Sequence, residues 1–178
     1  MPTLSQERLD TAEQAFIDQV IATQSGRPGA LLGILEAAQD RNPRKYLPLP
    51  TLQYIAAKTE TPLSRIFSFT TFYALFNLEP QGDNNVCICR GTACHTRGSR
   101  NLLQSLRLEL GLGLEESEEA DSDKLALTTA DGKFTVRTVA CFGQCAMAPV
   151  VEVNHRICGH VNERTLQREI KALERERD

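Results

Sequence analysis

The chain has 178 residues, 41% of them hydrophobic and 24% charged, which is enough to bury a sizeable core in one domain or two small ones. A net charge of −3 and a sequence pI near 5.7 argue against a general binder of nucleic acid or of anionic membranes. The opening MPTLSQERLDTAEQ is polar and lacks a secretory apolar region, and no apolar run approaches the ~20 residues that span a bilayer. The expectation is a soluble, cytoplasmic protein with no direct membrane insertion, compatible with peripheral attachment to a membrane complex.

Residues 5–24 read as an amphipathic helix, with Ser5 as N-cap, Leu9, Ala12, Phe16, Val20 and Ile21 along one stripe, and Gly26 as its stop. Pro28 suits the first turn of a second helix whose buried face is Leu31, Leu32, Leu35 and Ala38, ending near Asn42 and Pro43. The run YLPLP from Tyr46 to Pro50 is expected to be extended, because a residue before proline is pushed out of the helical region. A third short helix follows over 51–59, and Pro62 opens a fourth that runs through Phe76. That last helix gathers Phe67, Phe69, Phe72, Tyr73 and Phe76, half of the ten aromatics. Core packing is the ordinary reading of such a stripe, and a subunit contact the alternative.

After residues 79–83 (EPQGD) the periodicity changes. Residues 86–89 are short and β-like, 96–110 look helical, and 134–140 alternate as FTVRTVA. Residues 150–153 and 156–161 resemble two strands joined at Asn154 and His155, and 162–176 form a charged terminal helix. This order predicts an α+β protein: a helical bundle over residues 1–80, then a thioredoxin-like α/β domain over 81–178. Between the elements lies EESEEADSD, residues 115–123, with six acidic residues in nine. It reads as a solvated loop, with docking to a basic partner as the lesser reading.

The cysteines carry the chemistry. Three of the six fall in CICRGTAC, residues 87–94; CFGQC follows at 141–145, and Cys158 stands alone. In a reducing compartment, clustered thiols bind metal or do redox work more often than they staple a fold. Cys89-x4-Cys94 and Cys141-x3-Cys145 each lie where an expected strand runs into a glycine-containing loop. Such loops can aim several backbone N–H groups at one point, and glycine lets the backbone come close. Four thiolates with converging amides suit a [2Fe–2S] centre, in which each iron takes two cysteine sulfurs and two bridging sulfides.

Zinc also takes four thiolates, but neither pair has the C-x2-C spacing of a common structural knuckle. A C-x-x-C dithiol is absent, and adjacent Cys94 and His95 lack an orienting third group for nucleophilic catalysis. In an extended strand Cys87 and Cys89 share a face, so spacing alone does not exclude Cys87 as a ligand. Cys87 and Cys158 are read as small buried hydrophobes. Of the three histidines, His95 is the one placed to neighbour a cluster. Arg90, Arg97, Arg100 and Arg107 read as solvated helix-face residues, with a positive rim around the centre as the alternative. Gly111 and Gly113 follow a helix and stop it; no dinucleotide or Walker loop is present, so no flavin or nucleotide site is expected on this chain.

The segments CRGTACHTRG (89–98) and ACFGQCAMAPVV (140–151) closely resemble the thioredoxin-like [2Fe–2S] ferredoxin family, and TTFYALFNLEP (70–80) is similar to its inter-domain segment. That family includes the small iron–sulfur subunit of the NADH-oxidising module of complex I, and related subunits of NAD(P)-linked soluble hydrogenases and formate dehydrogenases. The resemblance spans roughly residues 28–176. It implies a helical N-terminal bundle before a thioredoxin-like domain, with Cys89, Cys94, Cys141 and Cys145 as ligands of one [2Fe–2S] cluster. It also implies an electron-transfer subunit without catalytic residues of its own. Its partners are then further iron–sulfur subunits and a flavoprotein that holds FMN and takes hydride from NADH or NADPH. The form RGTACHTRG looks closer to the hydrogenase-type members. Two departures stand out: Ala146 follows the fourth cysteine where many relatives have glycine, and the acidic connector over 115–127 is longer than usual. The rival expectation is a structural zinc-binding interaction module without redox activity.

Overall fold

The computed structural model describes residues 9–113 and 126–175. The expected Ser5 cap and the acidic stretch 115–123 lie outside the described residues. The chain divides into two compact units, residues 1–80 and 81–178.

The first unit contains α1 (Thr11–Gln24), α2 (Ala30–Arg41), α3 (Leu49–Lys58) and α4 (Leu63–Phe72). Ile17, Ile34, Leu35, Ala38, Leu47, Leu52, Ile55, Ile66 and Phe76 form one buried cluster. Helix α1 begins later than expected, because Asp10 is extended (φ −61°, ψ 145°). Its deepest side chain is Ile17, which the expected stripe omitted; Phe16 and Val20 flank it, half-buried. Pro28 precedes α2 instead of opening it, since the left-handed Gly29 (φ 77°) is the N-cap. Pro50 sits in the first turn of α3, where a missing N–H leaves no hydrogen bond unmade, so the expected extended run ends at Pro48.

Helix α4 ends at Phe72 and Tyr73 is extended, so the fourth helix is shorter than expected and the aromatic stripe splits. Phe76 is buried with the core, whereas Phe72 is 79% exposed and meets Tyr73 edge-on at 5.0 Å between ring centroids. The chain after α4 is tied back by Gln39, whose Nε2 donates to Leu75 O (3.0 Å) while its Oε1 accepts from Asn77 N (2.7 Å). This gives a buried amide both partners that it requires.

The second unit is a five-stranded mixed sheet of order β2-β3-β1-β4-β5. Its strands are β1 (Asn84–Cys89), β2 (Ala126–Thr128), β3 (Phe134–Val139), β4 (Val151–Val153) and β5 (Arg156–Cys158). Strands β1 and β3 are parallel; β2 on β3, β4 on β1 and β5 on β4 are antiparallel. Alternation puts Val86, Ile88, Phe134, Val136, Val151 and Val153 on one face, which packs on Leu102, Leu103, Leu106, Leu166 and Ile170. Those five leucines and isoleucines come from α6 (Ser99–Glu109) and α7 (Glu163–Arg175). The start of α7 is closed reciprocally, Thr165 N–H to Asn162 Oδ1 and Asn162 N–H to Thr165 Oγ1, each at 2.9 Å.

The helix expected over 96–110 begins only at Ser99 as α6, because Gly98 (φ 93°) turns the chain between it and a short α5 (Thr92–Thr96) that was not expected. Edge strand β2 was not expected; three residues are too short for an alternation to register. The last expected strand stops at Cys158, since His160 is left-handed (φ 52°). Arg107, expected on a solvated face, is only 9% exposed. The protein is α+β, with helices throughout its N-terminal part.

Candidate metal centre

The parallel pairing of β1 and β3 assembles the site. Cys89 stands opposite Val139, so the chain leaves both strands at one end of the sheet, and Arg90 N–H donates to Val139 O at 2.8 Å just beyond. Strand β4 runs the other way on the far side of β1 and begins at this same end, where Cys89 N–H donates to Val150 O at 3.2 Å. Three loops therefore meet: 90–91 leading into α5 with Cys94, 140–144 carrying Cys141, and the 3-10 turn Cys145–Met147 that leads to β4. The register brings together strand ends whose cysteines, 89 and 141, stand 52 positions apart in sequence.

Cys89 and Cys94 are each 2% exposed and pack with Ala148 and Val150, whereas Cys141 and Cys145 are exposed. The sulfurs of Cys141 and Cys145 lie 3.8 Å apart. Burial pushes the Cys89 thiol up, but the N–H groups of Gly91 and Phe142 and the thiols of Cys94 and Cys141 together hold it below its ordinary value. Cys94 is held above its ordinary value by burial and by neighbouring Cys89, against one N–H from Val150; the charge of Cys145 adds to the rise. Cys145 is raised first by Cys141, with burial and the Cys89 charge adding to it. One thiolate is therefore favoured at this spot and its neighbours penalise the next, an arrangement that a bound cation relieves.

Thiolates about 2.3 Å from one tetrahedral ion sit about 3.8 Å apart, the Cys141–Cys145 separation, so this pair fits a single metal. Among the described residues no three His, Cys, Asp or Glu side chains converge closely enough to hold one ion. A two-iron centre asks instead for two thiolate pairs and for amide donors to its sulfurs. Both are present. Beside the donors to Cys89 and Cys94, Gly143 N–H reaches Cys141 Sγ at 3.2 Å, from a left-handed φ of 77°.

Two glycines keep the loops close. A Cβ on Gly91 would lie 3.1 Å from Ala140 O and 3.3 Å from Cys141 Sγ, the close approach for which the sequence had singled out this loop. A Cβ on Gly159, at the end of β5, would lie 2.6 Å from Met147 Cβ. The 3-10 turn, which contains Ala146, is pinned from the same side by His160 N–H to Met147 O (2.7 Å) and Val161 N–H to Pro149 O (3.1 Å). Gly159 escaped the sequence reading because it follows a strand distant from either cysteine pair, His160 was read as an ordinary histidine, and the aim of the Val150 amide depends on how β4 pairs with β1.

The remaining candidates divide. Cys87 is half-buried, between Arg137 and Glu152 in register, and burial pushes its thiol up to about 11. Cys158 packs against the helix-covered core and not with Cys89, Cys94, Ala148 and Val150, and is half-buried where full burial was expected. His95 is exposed on α5, its backbone N–H donating to Gly91 O.

A family model, described as thioredoxin-like [2Fe-2S] ferredoxin, matches residues 17–174. The chain belongs to this family. The cofactor of the thioredoxin-like [2Fe–2S] ferredoxins is one [2Fe–2S] cluster, and the sulfur and amide set described above fits it. Similar proteins include a subunit of the NADH-quinone oxidoreductase of Rickettsia bellii (strain RML369-C), 36% identical over 129 residues that cover 72% of this chain and 70% of the relative. Another is the HndA subunit of the NADP-reducing hydrogenase of Solidesulfovibrio fructosivorans, 29% identical over 80% of this chain and 76% of its own length. NADH-quinone oxidoreductase and hydrogenase relatives are thus both matched. Among solved structures, an NAD+-reducing [NiFe]-hydrogenase in the air-oxidized state aligns with a TM-score of 0.62 at 21% identity, over 84% of this chain. This ferredoxin spans only 23% of that hydrogenase chain, and the likeness at that identity is one of fold. Among the described residues, no helix is long and apolar enough to cross a membrane.

Proposed function

We propose that Cys89, Cys94, Cys141 and Cys145 hold the [2Fe–2S] cluster and that the chain is an electron-transfer subunit of an NAD(P)H-linked oxidoreductase complex. In this reading it works beside an FMN-bearing flavoprotein and further iron–sulfur subunits, and the boundary at Pro80 and Gln81 separates a helical domain from the ferredoxin domain. The observation that carries the assignment is the gathering of four sulfurs and their amide donors at one end of the sheet. The cluster, when bound, accepts and releases single electrons. The chain's own part is to fix the thiolates, to aim N–H groups at them so that added negative charge is offset, and to shield Cys89 and Cys94 from water. The relatives named above are subunits of NADH-quinone oxidoreductase and NADP-reducing hydrogenase, which supports a place in a multi-subunit NAD(P)H-linked complex.

Purified anaerobically, the chain is expected to hold two irons and two sulfides, to be EPR-active when reduced, and to oxidise no NADH alone. Replacing any of the four cysteines by serine is expected to lose or alter the spectrum. Native EPR retained in Cys141→Ser, or one zinc per chain, refutes the assignment. Co-expression with a flavoprotein tests the partner: co-purification and NADH-dependent reduction of the cluster support it, and a monomer that ignores the flavoprotein refutes it.

A further inference from the structure

We infer that Arg97 is a positioning residue for the cluster site, tying the Cys94 turn to the Cys145 turn and setting a positive charge on the Ala148 carbonyl behind the two buried sulfurs. The inference rests on the ligand assignment proposed above. Arg97 lies three residues after Cys94 and closes α5, its backbone N–H donating to Cys94 O at 3.2 Å. Its guanidinium Nη1 crosses to the carbonyl of Ala148 at 3.1 Å. Ala148 lies three residues after Cys145, and its N–H donates back to Cys145 O at 3.3 Å. One side chain thus joins the ends of two ligand-bearing turns that share no strand.

Arg97 is exposed, but the carbonyl it holds is not. Ala148 is 2% exposed and packs directly with Cys89, Cys94 and Val150. Moving its carbonyl moves the wall against which the two buried sulfurs lie. Arg97 forms part of the lining of a groove of about 670 Å³, together with Asn101, His160, Asn162, Glu163 and Arg164. Two arginines against one glutamate leave this wall net positive. An electron added to a thiolate-bound centre adds negative charge, and a fixed cation nearby makes that addition more favourable. Guanidinium suits both tasks, since it stays charged and its planar donors hold a fixed direction.

The full chain, reconstituted with iron and sulfide, provides the test. Midpoint potential, followed by EPR during redox titration, and iron loss to a chelator are measured for wild type, Arg97→Ala, Arg97→Lys and Arg100→Ala. Arg97→Ala is expected to shift the potential negative and to speed iron loss by roughly three- to tenfold, the measure of one partly exposed hydrogen bond. Arg97→Lys should restore the potential while still losing iron faster than wild type. Arg100→Ala removes an equal formal charge from a residue of α6 that does not line this groove and should stay near wild type in both measurements. A wild-type potential and loss rate in Arg97→Ala overturn the inference, as does an equal potential shift in Arg100→Ala, which makes net charge the cause. Should Arg97→Ala not fold by circular dichroism, Arg97→Lys decides: faster iron loss at a wild-type potential supports the joint, and no change in either overturns it. A wild-type chain that takes up no iron defeats the ligand assignment instead.

Discussion

Gly159→Ala probes how tightly the exposed ligand turn is held. The added methyl would stand 2.6 Å from Met147 Cβ, 3.1 Å from Met147 O and 3.4 Å from Met147 Cγ. Carbon atoms in contact sit about 3.5 to 4.0 Å apart, so either β5 or the 3-10 turn must give by about 1 Å. The turn cannot yield alone, because His160 N–H holds Met147 O at 2.7 Å and Val161 N–H holds Pro149 O at 3.1 Å. Overpacking of this kind costs about 1 to 3 kcal/mol, or roughly 5- to 150-fold in the population of the native turn. Cys145 opens the turn, so the strain reaches the sulfur pair of Cys141 and Cys145 directly. The reconstituted variant is therefore expected to lose iron to a chelator at least fivefold faster, with shifted EPR g-values and a native far-UV circular dichroism spectrum. Wild-type g-values and a wild-type loss rate would show that the turn is free to relax, and that Gly159 is not needed to seat Cys145.

Gly143→Ala meets open space but must adopt a φ of 77°, so it should cost about 1 to 2 kcal/mol in thermal unfolding; Gly143→Asn, which tolerates that conformation, should recover most of the loss. Cys87→Ser and Cys158→Ser should keep the wild-type EPR spectrum, because neither sulfur belongs to the gathered set; loss of the cluster in either variant refutes that separation. Leu35→Ala empties a fully buried position among the helices and should cost about 2 to 5 kcal/mol by denaturant unfolding, with the EPR signal of the folded protein unchanged. Lys58 is raised above its ordinary 10.5, chiefly by its hydrogen bond to Asp18 and then by Tyr54. A cation favoured in the folded state contributes fully below the ordinary value and is lost as pH rises through the raised one. Lys58→Met should therefore melt slightly lower than wild type at neutral pH, with the gap closing in strong alkali; a pH-independent gap refutes the ion-pair account.

Legibility in the sequence followed how local the deciding interaction is. The alternation of FTVRTVA and the charged terminal helix are set within one element, and β3 and α7 begin and end within a residue or two of expectation. The fourth helix failed at its end because nothing local stops it at Phe72. The bonds from Gln39, thirty-six and thirty-eight residues earlier, secure the chain that follows Tyr73, and they are invisible to periodicity. Phe72 shows the same limit from the other side: its type reads as core, while its place at the last helical residue leaves it 79% exposed. Arg107 reads as surface by type but lies on the helix face turned to Leu103 and Leu106, and is buried.

At the candidate site the two cysteine pairs were legible, because each pair closes its own loop, but their relative placement was not. Pair spacing fixes how two sulfurs share one loop; it says nothing about whether β1 and β3 run parallel or which residues stand opposite. The register Cys89 to Val139 supplies that, and a slip by one residue turns Cys89 to the opposite face of the sheet. That register is defended far from the sulfurs. Val86 and Ile88 on β1 and Phe134 and Val136 on β3 are nearly or completely buried beneath α6 and α7, and a slip of either strand turns its own pair to the wrong face. At the opposite end, Gly82 packs so closely on Phe134 that a Cβ would stand 2.6 Å from its backbone, and Gly82 N–H donates to Thr135 Oγ1 at 2.6 Å. The geometry of the thiolates is thus set by apolar burial along the whole sheet, and Gly82→Ala, remote from every sulfur, is expected to lower cluster retention together with the melting temperature. Lower stability with wild-type EPR in the folded fraction would show that the loops hold the sulfurs without help from the register.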